Sequence, residues 1–306
     1  MATEPTIAVL RSAPIVPRNK VAGLYAAAGD YWALTKPEVN FLVLAATFVG
    51  FRLASNAASA SVLIHTLVGT LLVASGAATL NQFIERSFDA QMRRTSRRPL
   101  AAGRLKPSCA LWFGISLSVA GILCLLAINV LTALLAAITL LSYLFLYTPL
   151  KRKTPLCVLV GALPGAAPPL IGWAAARGRL DPEAWVLYAI VFLWQFPHFM
   201  SIAWMYRQDY ARAGYQVLPA RGSHDGFVVV QSFAFALALV LVALIPAITG
   251  ESGRVYAVGA AVLSVAFLYL SGCFAFRRSN VAAKQLLVAS IVYLPLLFCP
   301  LLLDRK

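Results

Sequence analysis

Long apolar runs alternate with short polar connections along nearly the whole chain. Each run holds few charged side chains and is about 20 residues long, which is the length that a helix needs to cross the hydrocarbon core of a bilayer. The pattern therefore predicts an all-α membrane protein of about nine transmembrane helices. The predicted spans cover residues 38–58, 61–82, 108–127, 129–148, 157–176, 184–205, 227–248, 254–275 and 282–303.

The fifth run differs from the others because it holds prolines and glycines in its middle. Pro164, Pro168 and Pro169 lie close to Gly161 and Gly165. Proline removes a backbone donor and clashes with the preceding turn of a helix. At membrane depth such a break is tolerated only where protein or a cavity covers the freed backbone groups. We therefore expect a broken or kinked helix here, placed inside the bundle.

Composition agrees with this class. The 306 residues are 60% hydrophobic and only 12% charged, with a mean hydropathy of +0.79, whereas about a quarter of the residues in an average soluble domain are charged. With the N-terminus in the cytoplasm, 20 of the 26 Lys and Arg residues fall in or at the edge of cytoplasmic segments, as the positive-inside rule requires. The net charge of +15 is therefore a topology signal and does not indicate nucleic-acid binding.

The same orientation places the C-terminus on the opposite side of a bacterial cytoplasmic (inner) membrane or its equivalent. Residues 1–30 are rich in Ala, Pro and polar residues and are predicted to be a flexible cytoplasmic tail, and residues 31–306 are predicted to form one transmembrane domain. Trp32 and Lys36 are expected to anchor the approach to the first span at the interface. The five cysteines are scattered without a CxxC pair, so they suggest neither a disulfide framework nor a zinc site.

The most polar segment, residues 81–100, follows the second span directly. Asn81, Glu85 and Asp89 are spaced four residues apart, so on a helix they lie within an arc of about 80°. Carboxylates on one face suit an oxygen-preferring cation such as Mg²⁺, which keeps several waters and bridges to substrate phosphates. The arginines that follow suit phosphate oxygens. The alternative is a solvated, charged loop between two membrane helices.

Two further polar stretches lie at the cytoplasmic ends of later spans. Lys151 begins a short basic loop, which either follows from topology alone or contacts an anionic head group. In and after the sixth span, Gln195, His198, Tyr206 and Asp209 share one helix face, and such a row should face a cavity because contact with lipid is costly. The alternatives are that His198 only hydrogen-bonds a neighbouring helix and that Asp209 only pairs with a nearby arginine.

Several short motifs occur in a fixed order along the chain. They are Leu34-Thr35-Lys36-Pro37, Asn81-x3-Glu85-x3-Asp89-x2-Met92-x-Arg94-Thr95-x2-Arg98-Pro99, Tyr147-Thr148-Pro149-Leu150-Lys151-Arg152-Lys153-Thr154-Pro155, Pro168-Pro169-Leu-Ile-Gly172-Trp173, Trp194-Gln195-x-Pro197-His198-Phe199 and Asp209-Tyr210-x2-Ala213-Gly214-x3-Leu218-Pro219. Over about residues 31–222 the chain thereby resembles the UbiA superfamily of intramembrane prenyltransferases, and within it the branch that farnesylates haem. Two departures are that Glu85 stands where the superfamily more often has Asp, and that Ala213 replaces a second acid after Asp209.

The resemblance implies a ring of nine helices around a central cavity, with the acidic motifs at its cytoplasmic mouth. It implies Mg²⁺ bound by Asn81, Glu85, Asp89 and Asp209, farnesyl diphosphate as donor, and haem B as acceptor, a substrate rather than a cofactor. The product would be haem O for terminal oxidase assembly; membrane lipid and membrane proteins of the haem pathway or of oxidase assembly are the further partners. The expected catalytic residues are Asn81, Glu85, Asp89, Asp209 and Tyr206, and the expected substrate-binding residues are Arg86, Arg94, Arg98, Lys151, Arg207, His198, Gln195, Tyr147 and Trp194, with Tyr143 and Trp173 as further aromatic faces for a cation.

Two other functions stay open at this stage. A prenyltransferase of the same kind could act on an aromatic ring, such as a quinone or chlorophyll precursor. A transporter also has broken helices and intramembrane polar residues, but it needs a polar path through both leaflets, whereas the candidate residues cluster on one side. A purely structural membrane-assembly protein would leave the row of carboxylates unexplained.

Overall fold

The computed structural model describes residues 20–55, 57–217 and 225–305. The predicted tail up to residue 19 and the motif residues Leu218 and Pro219 therefore lie outside the described residues. Within the described ranges every regular element is helical and no β-strand forms. The helices are α1 Lys20–Thr35, α2 Pro37–Ala54, α3 Ala60–Asp89, α4 Pro107–Leu126, α5 Val130–Leu141, a π-helix Ser142–Tyr147, α6 Thr148–Leu150, α7 Cys157–Gly165, α8 Pro168–Arg177, α9 Pro182–Met205, α10 Arg207–Arg212, α11 Asp225–Ala243, α12 Ile245–Ile248, α13 Arg254–Arg277 and α14 Asn280–Leu303.

Nine membrane-crossing segments can be traced in the described part of the chain, by length and apolar composition. The predicted architecture is thereby confirmed, but the second span is longer than expected. Helix α3 has 30 residues and is about 45 Å long at 1.5 Å per residue, whereas the hydrocarbon core is about 30 Å thick. Its last two turns therefore continue past residue 82, and the polar row belongs to a membrane helix that projects beyond the bilayer core.

The spans pack as a closed circuit. Helix α2 packs against α3, α3 against α4, α4 against α5, and α5 against α7 and α8. Helix α9 then contacts α7, α8 and α11, α11 packs against α13, α13 against α14, and α14 returns to α9 and α2. The fifth span, formed by α7 and α8, is the most buried of the nine. The broken helix is thus the most enclosed member of the circuit.

The break in the fifth span lies where the prolines predicted it. Helix α7 ends at Gly165, and α8 begins at Pro168. The Gln195 side chain on α9 covers the break, because its Nε2 donates to the Ala162 carbonyl at 3.1 Å and its Oε1 lies where a Cβ on Gly165 would project. The Ala162 carbonyl, which also accepts the Ala166 N–H at 3.0 Å, thereby gains a second donor from a neighbouring helix.

Helices α2 and α8 touch through their backbones. A Cβ on Gly50 would overlap the Pro169 carbonyl oxygen, and a Cβ on Gly172 would overlap the Thr47 carbonyl oxygen. Small residues permit such close approach of membrane helices, where van der Waals packing replaces the hydrophobic driving force. These two glycines therefore fix the position of the broken helix against the first span.

We expect Gly172→Ala to lower the free energy of unfolding by about 3 kcal/mol, because the added methyl group meets backbone atoms that cannot turn aside. Thermal unfolding of purified protein in detergent measures the change. The matched control is Gly259→Ala, since Gly259 lies in α13 and the position that its Cβ would take has no neighbouring atom within 4 Å. Equal unfolding temperatures for the two variants would contradict the backbone contact between α2 and α8.

The segment before the first span forms a helix that extends into the predicted tail. Helix α1 begins at Lys20, so residues 20–30 of the predicted tail are helical. This part of the chain is rich in alanine, which has the highest intrinsic helix propensity. Pro37 starts α2 at its first turn, as predicted, because its missing N–H is no loss at that position.

Lys36, a predicted interfacial anchor, lies between α1 and α2 and has an unusual backbone conformation. Its backbone is left-handed, with φ 51° and ψ 63°, which is uncommon for a residue other than glycine. The junction is fixed from both sides, since Gln82 Nε2 donates to the Leu34 carbonyl at 2.9 Å and Asn40 Nδ2 donates to the Thr35 carbonyl at 2.9 Å. The strained turn sends the Lys36 side chain toward the polar end of α3.

Candidate active site

The end of α3 provides the acidic side of the candidate site. Asn81, Glu85 and Asp89 lie on one face of this helix, as their spacing predicted, and all three are buried, with 1%, 6% and 2% of their surface exposed. A charged carboxylate is costly to bury unless it is paired. The burial of two carboxylates on adjacent turns therefore requires cations close by.

Two basic residues from separate loops meet these carboxylates. Lys151 Nζ lies 2.9 Å from Glu85 Oε1, and Arg98 Nη1 lies 2.8 Å from both oxygens of Asp89. Burial alone would lower the pKa of Lys151, but the neighbouring Tyr147 and Glu85 raise it well above its usual range. Lys151 therefore stays protonated. It lies in the site, as predicted, and its specific partner there is Glu85.

Asn81 is held by residues around the π-helix. Its Nδ2 donates to Thr148 Oγ1 at 3.1 Å, and Thr148 in turn donates to the Tyr143 carbonyl at 2.9 Å. The Tyr143 hydroxyl lies 3.4 Å from Asn81 Oδ1. A π-helix is rare and frequently marks a functional site. Here it places Tyr143 and Tyr147 side by side, with ring centroids 5.4 Å apart, next to the polar row.

Asp209 reaches the same region from the second acidic motif. It is 8% exposed, and its Oδ2 accepts the backbone N–H of Arg94 at 3.2 Å. The Arg94 guanidinium donates to the Tyr210 hydroxyl at 3.1 Å and lies over the Tyr206 ring, 4.9 Å from the centroid. The loop after α3 thus joins the two motifs, and Asp89 and Asp209 are both buried beneath that loop.

The structure does not bring Arg86 and Arg207 into this cluster. Arg86 is exposed, donates to the Phe83 carbonyl at 2.6 Å and lies over the Phe83 ring. Arg207 is exposed too, and it donates to the Trp204 carbonyl and to Asn280. Both guanidinium groups are held by neighbours on the rim, so their predicted role as substrate ligands would require them to turn inward.

A second group of predicted residues lies deeper on α9. Trp194 Nε1 donates to the Ser290 carbonyl at 2.8 Å, and His198 Nδ1 lies 2.8 Å from the Ser290 hydroxyl oxygen. The two rings stack with centroids 4.9 Å apart. Ser290 therefore fixes both rings from α14 and leaves the second ring nitrogen of His198 without a partner among the described residues. Gln195 points instead to the broken helix, where it donates to the Ala162 carbonyl.

Trp173 was expected to be an aromatic face for a cation, but it lies at the opposite end of the bundle. Its Nε1 donates to Asp181 at 3.1 Å and its ring lies under the Arg177 guanidinium, in the connection between the fifth and sixth spans. A cavity of about 120 Å³ next to it is lined partly by Glu183 and Arg305. The aromatic faces near the acidic row are those of Tyr143 and Tyr147.

Two residues near the acidic row were not among the candidates. Burial, and then the charges of Arg98 and Lys151, lower the pKa of Lys36 to about 7. Tyr215, in the loop after α10, is 7% exposed, and burial followed by the Glu85 carboxylate raises the pKa of its phenol above its usual range. Lys36 was part of a motif and could have been found; Tyr215 carries no sequence signal.

The donor set suits a hard divalent cation, although the acids do not converge on one point. No three His, Cys, Asp or Glu residues form a metal-binding group within the described ranges. Glu85 and Asp89 face cations, and Asp209 faces a backbone amide and, at 3.6 Å, the Arg212 guanidinium, the pairing with a nearby arginine that the sequence left open. Mg²⁺ normally takes one or two carboxylates and completes its shell with water and substrate phosphates. Glu85 and Asp89 supply buried oxygens on adjacent turns of α3. They meet that requirement once a metal ion takes the place of their partners Lys151 and Arg98.

The fold and site together define an intramembrane prenyltransferase, and the chain belongs to the UbiA prenyltransferase family, whose sequence model matches residues 43–294. Among its relatives, the protoheme IX farnesyltransferase of Solibacter usitatus is 49% identical over 287 residues, covering 90% of this chain and 98% of the relative. The protoheme IX farnesyltransferase of Salinibacter ruber is 45% identical over 278 residues, covering 90% of this chain and 98% of the relative.

Solved structures with little sequence similarity share the fold. A digeranylgeranylglyceryl phosphate synthase superposes with a TM-score of 0.76 at 15% identity, covering 90% of this chain and 98% of that chain. A UbiA homologue from Archaeoglobus fulgidus, bound to GPP and Mg²⁺, superposes with a TM-score of 0.60 at 15% identity. The match covers 89% of this chain and 99% of that chain. At such identities the likeness shows the arrangement of the spans and not the substrates.

Proposed function

We propose that this protein transfers the farnesyl group of farnesyl diphosphate to a vinyl group of haem B and thereby forms haem O. The observation that carries the proposal is the near full-length similarity to the protoheme IX farnesyltransferase of Solibacter usitatus, at 49% identity. The buried acidic row with its paired cations supplies the chemistry that such a transfer needs.

The first requirement is to stabilise diphosphate as it leaves. The allylic C–O bond of the donor breaks, and its electron pair departs with the diphosphate, so negative charge builds on oxygen. Lys151, Arg98 and Arg94 lie beside the acidic row, and in this water-poor position cations stabilise such charge strongly. When bound at Asn81, Glu85 and Asp89, with Asp209 on the facing side, Mg²⁺ would neutralise the same developing charge.

The second requirement is to shelter the allylic cation. Tyr143 and Tyr147 present aromatic faces next to Lys151, whose Nζ lies 4.4 Å from the Tyr147 centroid. Tyr206 offers another ring, which Arg94 covers in this structure. Each aromatic face contributes about 1–2 kcal/mol to a desolvated cation. The apolar bundle excludes water that would quench the cation.

The third requirement is to hold the acceptor where it can attack the allylic cation, and we assign this role to the rings on α9. The vinyl π electrons of haem form the new carbon–carbon bond, and water captures the resulting cation and releases a proton. We place haem near Trp194 and His198, because these stacked rings are fixed by Ser290 at mid-depth on α9. An aromatic surface and a ring nitrogen without a protein partner suit the porphyrin and its iron.

The decisive experiment is the product mass. Purified protein in detergent with Mg²⁺, farnesyl diphosphate and haem B should yield a haem heavier by one farnesyl group and one hydroxyl. A parallel reaction with an aromatic acceptor, such as 4-hydroxybenzoate, should give no prenylated product. If the farnesyl group were transferred to the aromatic ring and haem were left unchanged, the acceptor would be the aromatic ring and not haem. If neither acceptor were prenylated, the proposed function would be refuted.

The orientation proposed from the charges places the active site on the cytoplasmic side of the inner membrane. The acidic row, Lys151 and Arg94 all lie at one end of the bundle, and the basic residues that flank them follow the positive-inside rule. Cysteine labelling of the exposed Lys153 and Arg254 positions in whole cells tests this, because only a cysteine at position 254 should react with an impermeant reagent.

We expect the Lys36 side chain to take up a proton when diphosphate binds. Its pKa of about 7 leaves roughly nine-tenths of the side chain neutral at pH 8, and an anion bound beside it would raise that pKa. We therefore expect the wild type to take up close to one proton more than Lys36→Met when pyrophosphate binds at pH 8. Titration calorimetry in buffers of different ionisation enthalpy measures this difference.

The pH dependence provides the internal control. At pH 6 Lys36 is already protonated in the free protein, since that pH lies below its pKa of about 7, so the difference between wild type and Lys36→Met should vanish. An equal difference at pH 6 and pH 8, or none at either, would show that Lys36 does not face the bound anion.

A further inference from the structure

The Tyr215 hydroxyl is a buried polar group that the mechanism above does not use. It is shielded from solvent and makes no hydrogen bond of ordinary length, and the acceptor closest to it is the Glu85 carboxylate. The charged groups that act on it are Glu85, Lys151 and Asp89. A buried donor without a full hydrogen bond is destabilising, so its presence beside a buried carboxylate calls for an explanation.

Tyr215 is held rigidly in this position. Its ring packs edge-to-face against Phe88 and Tyr210, with centroids 6.0 Å from each, and its backbone N–H donates to the Tyr210 carbonyl at 2.9 Å. The preceding Gly214 has a φ of 70°, which favours glycine. The ring and the backbone are therefore both fixed, with the hydroxyl beside Glu85.

The same loop is tied to Lys151. The backbone N–H of Gln216 donates to the Lys151 carbonyl at 2.7 Å, so the chain segments that carry Tyr215 and Lys151 are held together beside Glu85. In this structure Glu85 Oε1 receives Lys151 at 2.9 Å. If Lys151 turns to an incoming anion, Glu85 loses that donor, and a glutamate has three rotatable bonds through which it could move away.

We propose that Tyr215 is a positioning residue for Glu85, whose hydroxyl donates the hydrogen bond that holds this carboxylate in place once Lys151 turns to a diphosphate. This inference rests on the proposed function, because it requires a diphosphate at the site. A donor behind a metal-binding carboxylate fixes its orientation, and losing such a donor typically weakens metal binding about 10- to 100-fold.

The test is Tyr215→Phe, which removes the hydroxyl and keeps the ring. We expect Mn²⁺ to bind about tenfold more weakly to this variant than to the wild type in the presence of inorganic pyrophosphate, measured by the loss of the free Mn²⁺ signal in electron paramagnetic resonance. The matched control is Tyr293→Phe, which removes another buried phenol, bonded to Ser264 at 2.8 Å, and should leave Mn²⁺ binding unchanged.

Two further measurements separate positioning from structural support. Without ligands the unfolding temperature of Tyr215→Phe should be no lower than that of the wild type, since its hydroxyl makes no hydrogen bond of ordinary length; a marked drop would assign it a structural role instead. In a Glu85→Gln background the Tyr215→Phe change should have no further effect on Mn²⁺ binding, because residues that act together are not additive.

The outcomes for this proposal and for the proposed function differ. Equal Mn²⁺ binding by Tyr215→Phe and wild type, or a full additional loss in the Glu85→Gln background, overturns the role of Tyr215 alone. No Mn²⁺–pyrophosphate binding by the wild type overturns both. Binding as expected with a prenylated product other than farnesylated haem supports Tyr215 and refutes haem as the acceptor.

Discussion

Asp89→Asn should lower the rate of farnesyl transfer by about a thousandfold while leaving the protein in the membrane. The substitution keeps the size of the side chain and removes its charge. Asp89 is almost fully buried and both its oxygens contact Arg98, so the amide can neither bind a divalent cation well nor balance that guanidinium. Single-turnover measurement of haem farnesylation, with membrane insertion followed separately, gives the effect.

The matched control is Asp30→Asn. Asp30 also pairs with an arginine, since Arg104 Nη2 lies 2.8 Å from its Oδ1, but that arginine is exposed. Asp30 lies on α1 and Arg104 in the loop before α4, outside the acidic row. Exposed pairs contribute little, so its activity should stay within about twofold of the wild type. Wild-type turnover by Asp89→Asn would falsify the assignment of the metal site.

Lys151→Met is expected to have the second largest effect, on both stability and activity. Lys151 and Glu85 form a largely buried pair, and removing one partner of such a pair leaves the other charge uncompensated, at a cost of about 3 kcal/mol. The variant also loses a cation that would take the leaving diphosphate, so we expect about a hundredfold lower rate of transfer. Thermal unfolding and single-turnover kinetics measure the two effects.

Two companions make this result specific. Lys153→Met removes the same charge from the same loop, but Lys153 is exposed, and both stability and rate should be close to those of the wild type. Glu85→Gln combined with Lys151→Met should regain most of the stability, because no unpaired charge stays buried, yet remain inactive. If Lys151→Met and Lys153→Met behaved alike, the Lys151–Glu85 pair would not be a part of the site.

The sequence predicted those features that depend on local spacing. The spans follow from run length, the break between α7 and α8 follows from the prolines, and the shared face of Asn81, Glu85 and Asp89 follows from helical periodicity. The order of the motifs along the chain also indicated the correct family. Each of these depends only on residues close together in the chain or on their order in it.

The pairing of charges could not be predicted in this way. Arg86, Arg98 and Lys151 are equally suitable cations in the sequence, yet Arg98 and Lys151 reach the acidic row and Arg86 folds back on its own helix. Which of them does so depends on loops separated by up to 66 positions. The π-helix and the left-handed turn at Lys36 were also missed, since both arise from packing rather than from local residue preference.

The compensated state of the acidic row has a consequence for the order in which ligands arrive. A divalent cation alone would have to expel Lys151 and Arg98 with no anion present to receive them. A diphosphate that arrives with its cation offers both groups new partners at once. The free enzyme should therefore bind a divalent cation only weakly in the absence of diphosphate. Metal and diphosphate should bind cooperatively, as one complex, and each should bind weakly alone.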